Sequence, residues 1–150
     1  MRKLIPGILV ALFLSITSVQ AQAPGGEAGR IMTPLEAIRL AAEDPAKGIT
    51  GTFEMTVRGS GRTRMRIYLN SEEDYRDARC LTLDFTRGNA VKIGKSLGLS
   101  LRKDLINKRI RVHGTAKRTK IVFRGTGRYY YQTHIYVDDP DQIQLMGGVE

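Results

Sequence analysis

Apolar and polar residues alternate with a period of two in five runs between Thr52 and Val137, and this limits the chain to a mainly β fold with one buried face per strand. Phe53, Met55 and Val57 alternate with Thr52, Glu54, Thr56 and Arg58. Gly59, Ser60 and Gly61 read as a hairpin turn, after which Met65, Ile67 and Leu69 alternate with Arg64, Arg66 and Tyr68. A charged loop from Ser71 to Arg79 leads to a third run, with Leu81, Leu83 and Phe85 inward and Cys80, Thr82 and Asp84 outward. In the fourth, Ile110 and Val112 face inward and Arg109, Arg111 and His113 outward; the strand bends at Gly114 and extends toward Phe123. The turn chemistry of Arg124 to Gly127 precedes a fifth strand over Arg128 to Val137. There Tyr129 and Tyr131 share the side of Ile135 and Val137, which predicts core positions, while Tyr130, His134 and Tyr136 face the other way. Asp138 to Asp141 reads as a turn, and Ile143 and Leu145 as a short terminal strand.

Two helices interrupt this pattern. Thr33, Pro34 and Glu36 combine an N-cap hydroxyl, a first-turn proline and a carboxylate placed to close a capping box. The helix they start puts Leu35, Ile38 and Ala42 on one face and ends at Pro45 and Gly48. It is expected to lie as a lid on the sheet. Between Asn89 and Lys108 the alternation fails and Leu97, Leu101 and Leu105 recur every fourth residue, which predicts a short helix from about Ser100.

Residues 1–23 read as an export signal, with Arg2 and Lys3 before an apolar stretch from Leu4 to Ile16 and small residues at Val19, Ala21 and Ala23 for cleavage. The stretch is short for a bilayer span of about 20 apolar residues. Residues 24–30 read as a flexible leader, 31–146 as one domain and 147–150 as a tail. The 127 residues after position 23 suit one core. They keep 22 basic against 15 acidic residues, so the positive charge belongs to the domain. Cys80 is the single cysteine, so no internal disulfide can form and the core must hold the fold; it is expected as a small, partly buried strand residue.

Three strands, a helical connection and two more strands follow the order of a five-stranded Greek-key barrel. The run from Leu105 to Gly114, LINKRIRVHG, resembles the start of the fourth strand of many OB-folds, and Ile135 to Ile143, IYVDDPDQI, resembles their closing strand. From Gly51 to Leu145 the chain therefore resembles small exported bacterial OB-fold proteins. The implied fold is mainly β: a five-stranded OB-like barrel with one helix before it and one between strands three and four. A small SH3-like barrel is the other architecture compatible with the strands.

The resemblance implies a ligand lying across strands two and three, between the loops that join strands one to two and four to five. Near that place the sequence sets Arg58 and Arg62 beside the first loop and Arg64, Arg66 and Tyr68 outward on strand two. Arg111 faces outward on strand four, and Lys117, Arg118, Lys120, Arg124, Arg128 and Tyr130 populate the hairpin of strands four and five. These residues predict a cationic groove with stacking surfaces for a polyanion, nucleic acid or acidic glycan, or for an acidic envelope protein. Glu54 and Asp84 can pair with Arg64 or Arg66 across strands, so a mixed-charge solvated face is the competing expectation.

Catalytic signals are thin. Gly94, Lys95 and Ser96 resemble the end of a phosphate-binding loop, but Asn89 occupies the position of its first glycine. His113 and His134, expected outward on neighbouring strands, can be paired as the residues of a secreted phosphodiesterase. Asp138, Asp139 and Asp141 lack the spacing of a calcium loop, and Glu72, Glu73, Asp74 and Asp77 read as a solvated loop. No catalytic set, metal site or cofactor is assigned. The leading expectation is an exported, non-enzymatic binding module in the periplasm or medium; a phosphodiesterase or nuclease-like enzyme and an accessory envelope stress protein are the alternatives.

Overall fold

A computed structural model describes residues 29–147. The export signal, most of the leader and the last three residues of the tail lie outside the described residues. The chain runs β1 (Ile31–Met32), α1 (Pro34–Glu43), β2 (Ile49–Thr56), β3 (Gly59–Arg62), β4 (Arg66–Asn70), β5 (Leu81–Thr86), α2 (Arg87–Leu97), α3 (Leu101–Asp104), β6 (Arg109–Val122), β7 (Tyr129–Tyr136), a 3-10 turn (Pro140–Gln142) and β8 (Ile143–Leu145).

The fold is mainly β, and its eight strands form one mixed sheet in the order β1-β2-β6-β7-β5-β4-β3, with β8 on β6. This corrects the five-stranded OB-like barrel: among the described residues there are more strands, and the hydrogen-bonded path does not close. The extra strands come from short edge pairings by β1 and β8 and from a break in the first long strand at Val57 and Arg58. At that break neighbouring residues bond to different partners, Val57 N–H to the Lys108 carbonyl at 2.9 Å and Arg58 N–H to the Asn70 carbonyl at 2.9 Å. Only these two residues separate β2 and β3, which stand at opposite sides of the sheet path, so the sheet is strongly curled.

Inside the curl lie Phe53, Met55, Val57, Leu69, Leu81, Leu83, Phe85, Ile110, Val112, Ile135 and Val137, the inward phase that the alternation predicts. The first hairpin departs from prediction. Gly59 to Gly61 belong to β3, and the turn is made by Thr63 to Met65, where Thr63 N–H donates to the Arg66 carbonyl at 2.9 Å. Arg64 therefore sits at the hairpin tip, and Met65 is exposed.

The capping box of α1 forms as read, with the Thr33 hydroxyl accepting from Glu36 N–H and Glu36 accepting from Thr33 N–H at 2.8 Å. Its buried face is Ala37 and Ala41, with Leu35 exposed, so small residues rather than Leu35 and Ala42 let the helix lie close on β2 and β6. The single predicted helix between β5 and β6 is two. Gly98, at φ 67°, ends α2 in the left-handed conformation that glycine accepts without strain, and Ser100 starts α3. Ile93, Leu101 and Leu105 reach the core from this connection.

Candidate functional site

Cross-strand register lines up the outward residues of β3, β4, β5, β7 and β6. Gly59, Asn70, Thr82, His134 and Lys117 stand in one row, and Gly61, Tyr68, Asp84 and Tyr136 in the next. Two further segments rise beside these rows: the loop carrying Glu73 and Tyr75, and the end of the β6–β7 hairpin carrying Ile121, Phe123, Tyr130 and Gln132. Between them is a groove of about 460 Å³, bounded on its third side by Arg62 and Thr63 of the first hairpin.

The floor is polar and buried. Its Asn70, Thr82 and His134, and the Asp84 that bonds His134, are each no more than 4% exposed, and each has a partner. Thr82 donates to Asn70 Oδ1 at 3.0 Å, and Asp84 receives the Arg66 guanidinium on Oδ1. Asp84 Oδ2 lies 3.3 Å from His134 Nδ1, whose Nε2 lies 2.9 Å from Gln132 Oε1. Gln132 in turn donates to the Tyr75 carbonyl. Burial works against the charge of Arg66, yet its bond to Asp84 and the field of that carboxylate raise its pKa overall. Aromatic surface is added by Phe123 stacked on Tyr130 at 5.2 Å and by Tyr68 edge-on to His134 at 6.3 Å. Burial raises the Tyr68 phenol, helped by the Asp84 charge, and burial also raises Tyr130; both stay protonated donors at neutral pH.

Of the predicted binding residues, the groove brings together Arg62, Tyr68 and Tyr130. Arg66 does not line the groove; it is bonded to Asp84 and lies 5.3 Å from the centre of the Tyr136 ring. Arg58 lines a separate depression with Glu54, Glu72 and Arg109. Arg111 is engaged by Glu54 at 2.9 Å, and Glu54 also receives Arg109; it does not reach Arg64. The groove lining therefore holds one cation, Arg62, and one carboxylate, Glu73, among mostly neutral and aromatic groups.

The remaining cations lie on the hairpin, where one prediction is corrected. Tyr129 and Tyr131 do share the phase of Ile135, but the hairpin outruns the sheet beneath it and both rings are exposed. Arg118 lies 4.0 Å over Tyr131 and Lys120 4.1 Å over Tyr129, a cation–π ladder on the face opposite the groove. Lys117, Arg118, Lys120, Arg124 and Arg128 are all exposed. None of the five has a carboxylate partner among the described residues.

The histidine pair is not assembled. His134 faces outward from the core as its phase predicts, but the groove walls bury it, whereas His113 bonds to Thr52 at 3.3 Å in another depression with Arg111 and Gln142. Gly94, Lys95 and Ser96 lie within α2 rather than in a loop, and a Cβ on Gly94 would stand 2.7 Å from the Leu99 carbonyl, so close packing accounts for that glycine. Cys80 is fully buried, and burial pushes its thiol up, which makes it inert. Asp139 caps the 3-10 turn, and Asp74 and Asp77 hold Arg76 and Arg79. Among the described residues no three His, Cys, Asp or Glu side chains gather as a metal-ligand set, and no helix is long and apolar enough to cross a membrane.

Sequence reasoning missed Tyr75, Phe123, Asn70 and Gln132 as groove residues. Asn70 continues the outward phase of Arg66 and Tyr68, and Gln132 that of Tyr130 and His134, so the period-two signal contained both. Tyr75 lies in a loop without periodicity.

The Glu54 carboxyl is held below its usual 4.5, chiefly by the Arg111 hydrogen bond and then by Arg109. A lowered folded-state pKa adds stability that is present above the unfolded value and lost as the pH falls toward the folded one. Between about pH 5 and pH 3 the urea midpoint is expected to drop less in Glu54→Gln than in the wild type. Equal drops would remove Glu54 from the acid response.

No protein-family model matches the chain, and no curated protein matches it either. Among solved structures, the chain is similar to one assigned as an aspartyl-tRNA synthetase from Leishmania major Friedlin, with 10% sequence identity and a TM-score of 0.46. That similarity covers 85% of this chain and 22% of the other, so this chain spans about a fifth of that protein.

Proposed function

We propose that this chain is a binding module of OB type that acts after export and holds a linear polyanion along its groove and basic hairpin. The observation that carries the reading is the groove itself: an aromatic and hydrogen-bonding surface flanked by the β3–β4 turn and by a hairpin whose five exposed cations have no carboxylate partner among the described residues. The OB-type reading is supported by the parallel β5–β7 pair, by the helical connection before β6 and by the two-residue link across the curl at Val57 and Arg58. Ring-bearing units of the polymer lie against Tyr68, Tyr75 and Tyr130, while its phosphate, sulfate or carboxylate groups meet Arg62 and the hairpin cations. The export signal expected in residues 1–23 directs the module toward anionic polymers outside the cytoplasm.

The test is fluorescence anisotropy with a labelled single-stranded oligonucleotide and a labelled heparin oligosaccharide, each over a salt series. Binding should weaken steeply with salt for at least one probe, and Tyr130→Ala should weaken it about tenfold, within the range for a lost stacking contact. Absence of binding to both probes at low salt, or affinity independent of salt, would overturn the reading.

A further inference from the structure

Gln132 joins the histidine in the groove floor to the loop above it. Its amide nitrogen donates to the Tyr75 carbonyl, which can only accept, so the atom turned toward His134 Nε2 at 2.9 Å is the amide oxygen. On the other side Asp84 already takes Arg66 on Oδ1, and its Oδ2 faces His134 Nδ1 at 3.3 Å. Both ring nitrogens therefore face acceptors. A neutral imidazole has one N–H and one lone pair, so it would leave one of these contacts lone pair to lone pair; only the imidazolium donates at both ends. The His134 side chain is 5% exposed, which gives water little access to replace the missing bond.

The charged surroundings come from every neighbouring element. Asp84 of β5 favours the imidazolium directly, and Glu73 of the loop does so from across the groove. Arg66 of β4, bound to the same Asp84, Lys117 of β6, in register with His134, and Arg62 of β3 oppose it. Tyr68 of β4, Tyr75 of the loop, and Tyr130 and Tyr136 of β7 also flank the ring or its groove and are neutral when protonated.

We propose that His134 is a proton-operated latch on the groove wall. As imidazolium it joins Asp84 of β5 to Gln132 of β7, and Gln132 ties down the loop through the Tyr75 carbonyl. Loss of the proton leaves one N–H, which the charged Asp84 acceptor keeps on Nδ1, so the Nε2 contact breaks and frees Gln132, and with it the Tyr75 wall. The contacts made by the charged form are present while the ring carries both protons and are lost when one leaves. The latch is a property of the wall alone; its consequence, a groove closed around its ligand in acid and loosened when the proton is lost, rests on the binding reading.

The test uses the full chain without ligand, so it stands apart from any failure of polyanion binding. Amide exchange of residues 71–79, corrected for the intrinsic pH dependence, is expected to be roughly tenfold faster at about pH 8 than at about pH 5, the scale of one charge-assisted hydrogen bond. Gln132→Ala cuts the tether while keeping His134 on Asp84, and should exchange fast at both pH values. His134→Gln should abolish the difference between them. A long-range proton–nitrogen correlation should show both His134 ring nitrogens protonated in acid. Equal wild-type protection at the two pH values, an unchanged pH difference in Gln132→Ala, or a single-proton tautomer in acid would each overturn the latch.

Discussion

Asp84→Ala is expected to lower the free energy of unfolding by about 3 to 5 kcal/mol, the cost of leaving buried charge without its partner. Asp84 is 4% exposed, and its two oxygens hold Arg66 and His134. Its removal leaves a half-buried guanidinium and a buried imidazole facing each other with no anion between them. The same position lies in register between Tyr68 and Tyr136, and its loss also removes the partner that holds His134 in the groove floor. Asp84→Asn keeps the shape and one acceptor while removing the charge, and should cost roughly half as much. Urea unfolding gives the result directly if the denaturant slope is unchanged between variants. A loss below about 0.5 kcal/mol, the scale of an ordinary surface substitution, would mean that the network does not hold the floor.

The reason this residue was read as a surface carboxylate shows where periodicity stops informing. Alternation separates the two faces of a strand but does not say whether the outward face meets water. On β5 both faces are covered, the inward one by the core and the outward one by the groove walls, so Leu81 to Phe85 are all buried. The converse error occurs on β7, where the phase of Tyr129 and Tyr131 is read correctly but the sheet that would cover them ends before they do. Strand length beyond a partner is a property of pairing, not of a single run. The two-glycine segment at Gly59 to Gly61 misled for a related reason: glycine suits a tight turn, yet here it forms a strand and the turn rests on Thr63. Propensity gave a local preference, and pairing with β4 overrode it.

The capping box of α1, the inward residues of the long strands and the two long loops were legible because each is encoded within a few neighbouring residues. The joining of Arg62, Tyr75, Tyr130 and His134 around one groove was not, since it depends on register among four separate strands and a loop. Charge pairing was legible in part. The Asp84–Arg66 pair is one the outward phase offers, while Glu54 takes Arg109 and Arg111 instead of Arg64 or Arg66, and the hairpin cations have no carboxylate partners among the described residues. Charge reversal at Arg66 would thus report on stability, and only reversal on the hairpin isolates recognition.

Arg118, Lys120, Arg124 and Arg128 replaced together by Glu should therefore weaken polyanion binding by about two orders of magnitude at ~0.1 M salt. Each cation that neutralises a site on a flexible single strand releases about 0.7 of a counterion, so loss of four contacts should flatten the salt dependence by about three in the log–log slope. None of the four has a carboxylate partner in the described residues, and all are exposed, so the cost to folding is limited to the loss of two cation–π contacts over Tyr129 and Tyr131, about 0.5 to 1 kcal/mol each, a fall of a few degrees in the melting temperature. Binding and folding thus separate in one variant, which Arg66→Glu cannot achieve. A pair of partial variants then distinguishes the two faces of the hairpin. Arg118→Glu with Lys120→Glu alters the ladder opposite the groove, and Arg124→Glu with Arg128→Glu alters the tip. If the polymer follows the groove and leaves over the tip, the tip pair carries most of the loss; if the ladder pair carries it, the chain wraps the hairpin and the aromatic floor is secondary. Full affinity in the fourfold variant would remove the hairpin from recognition altogether.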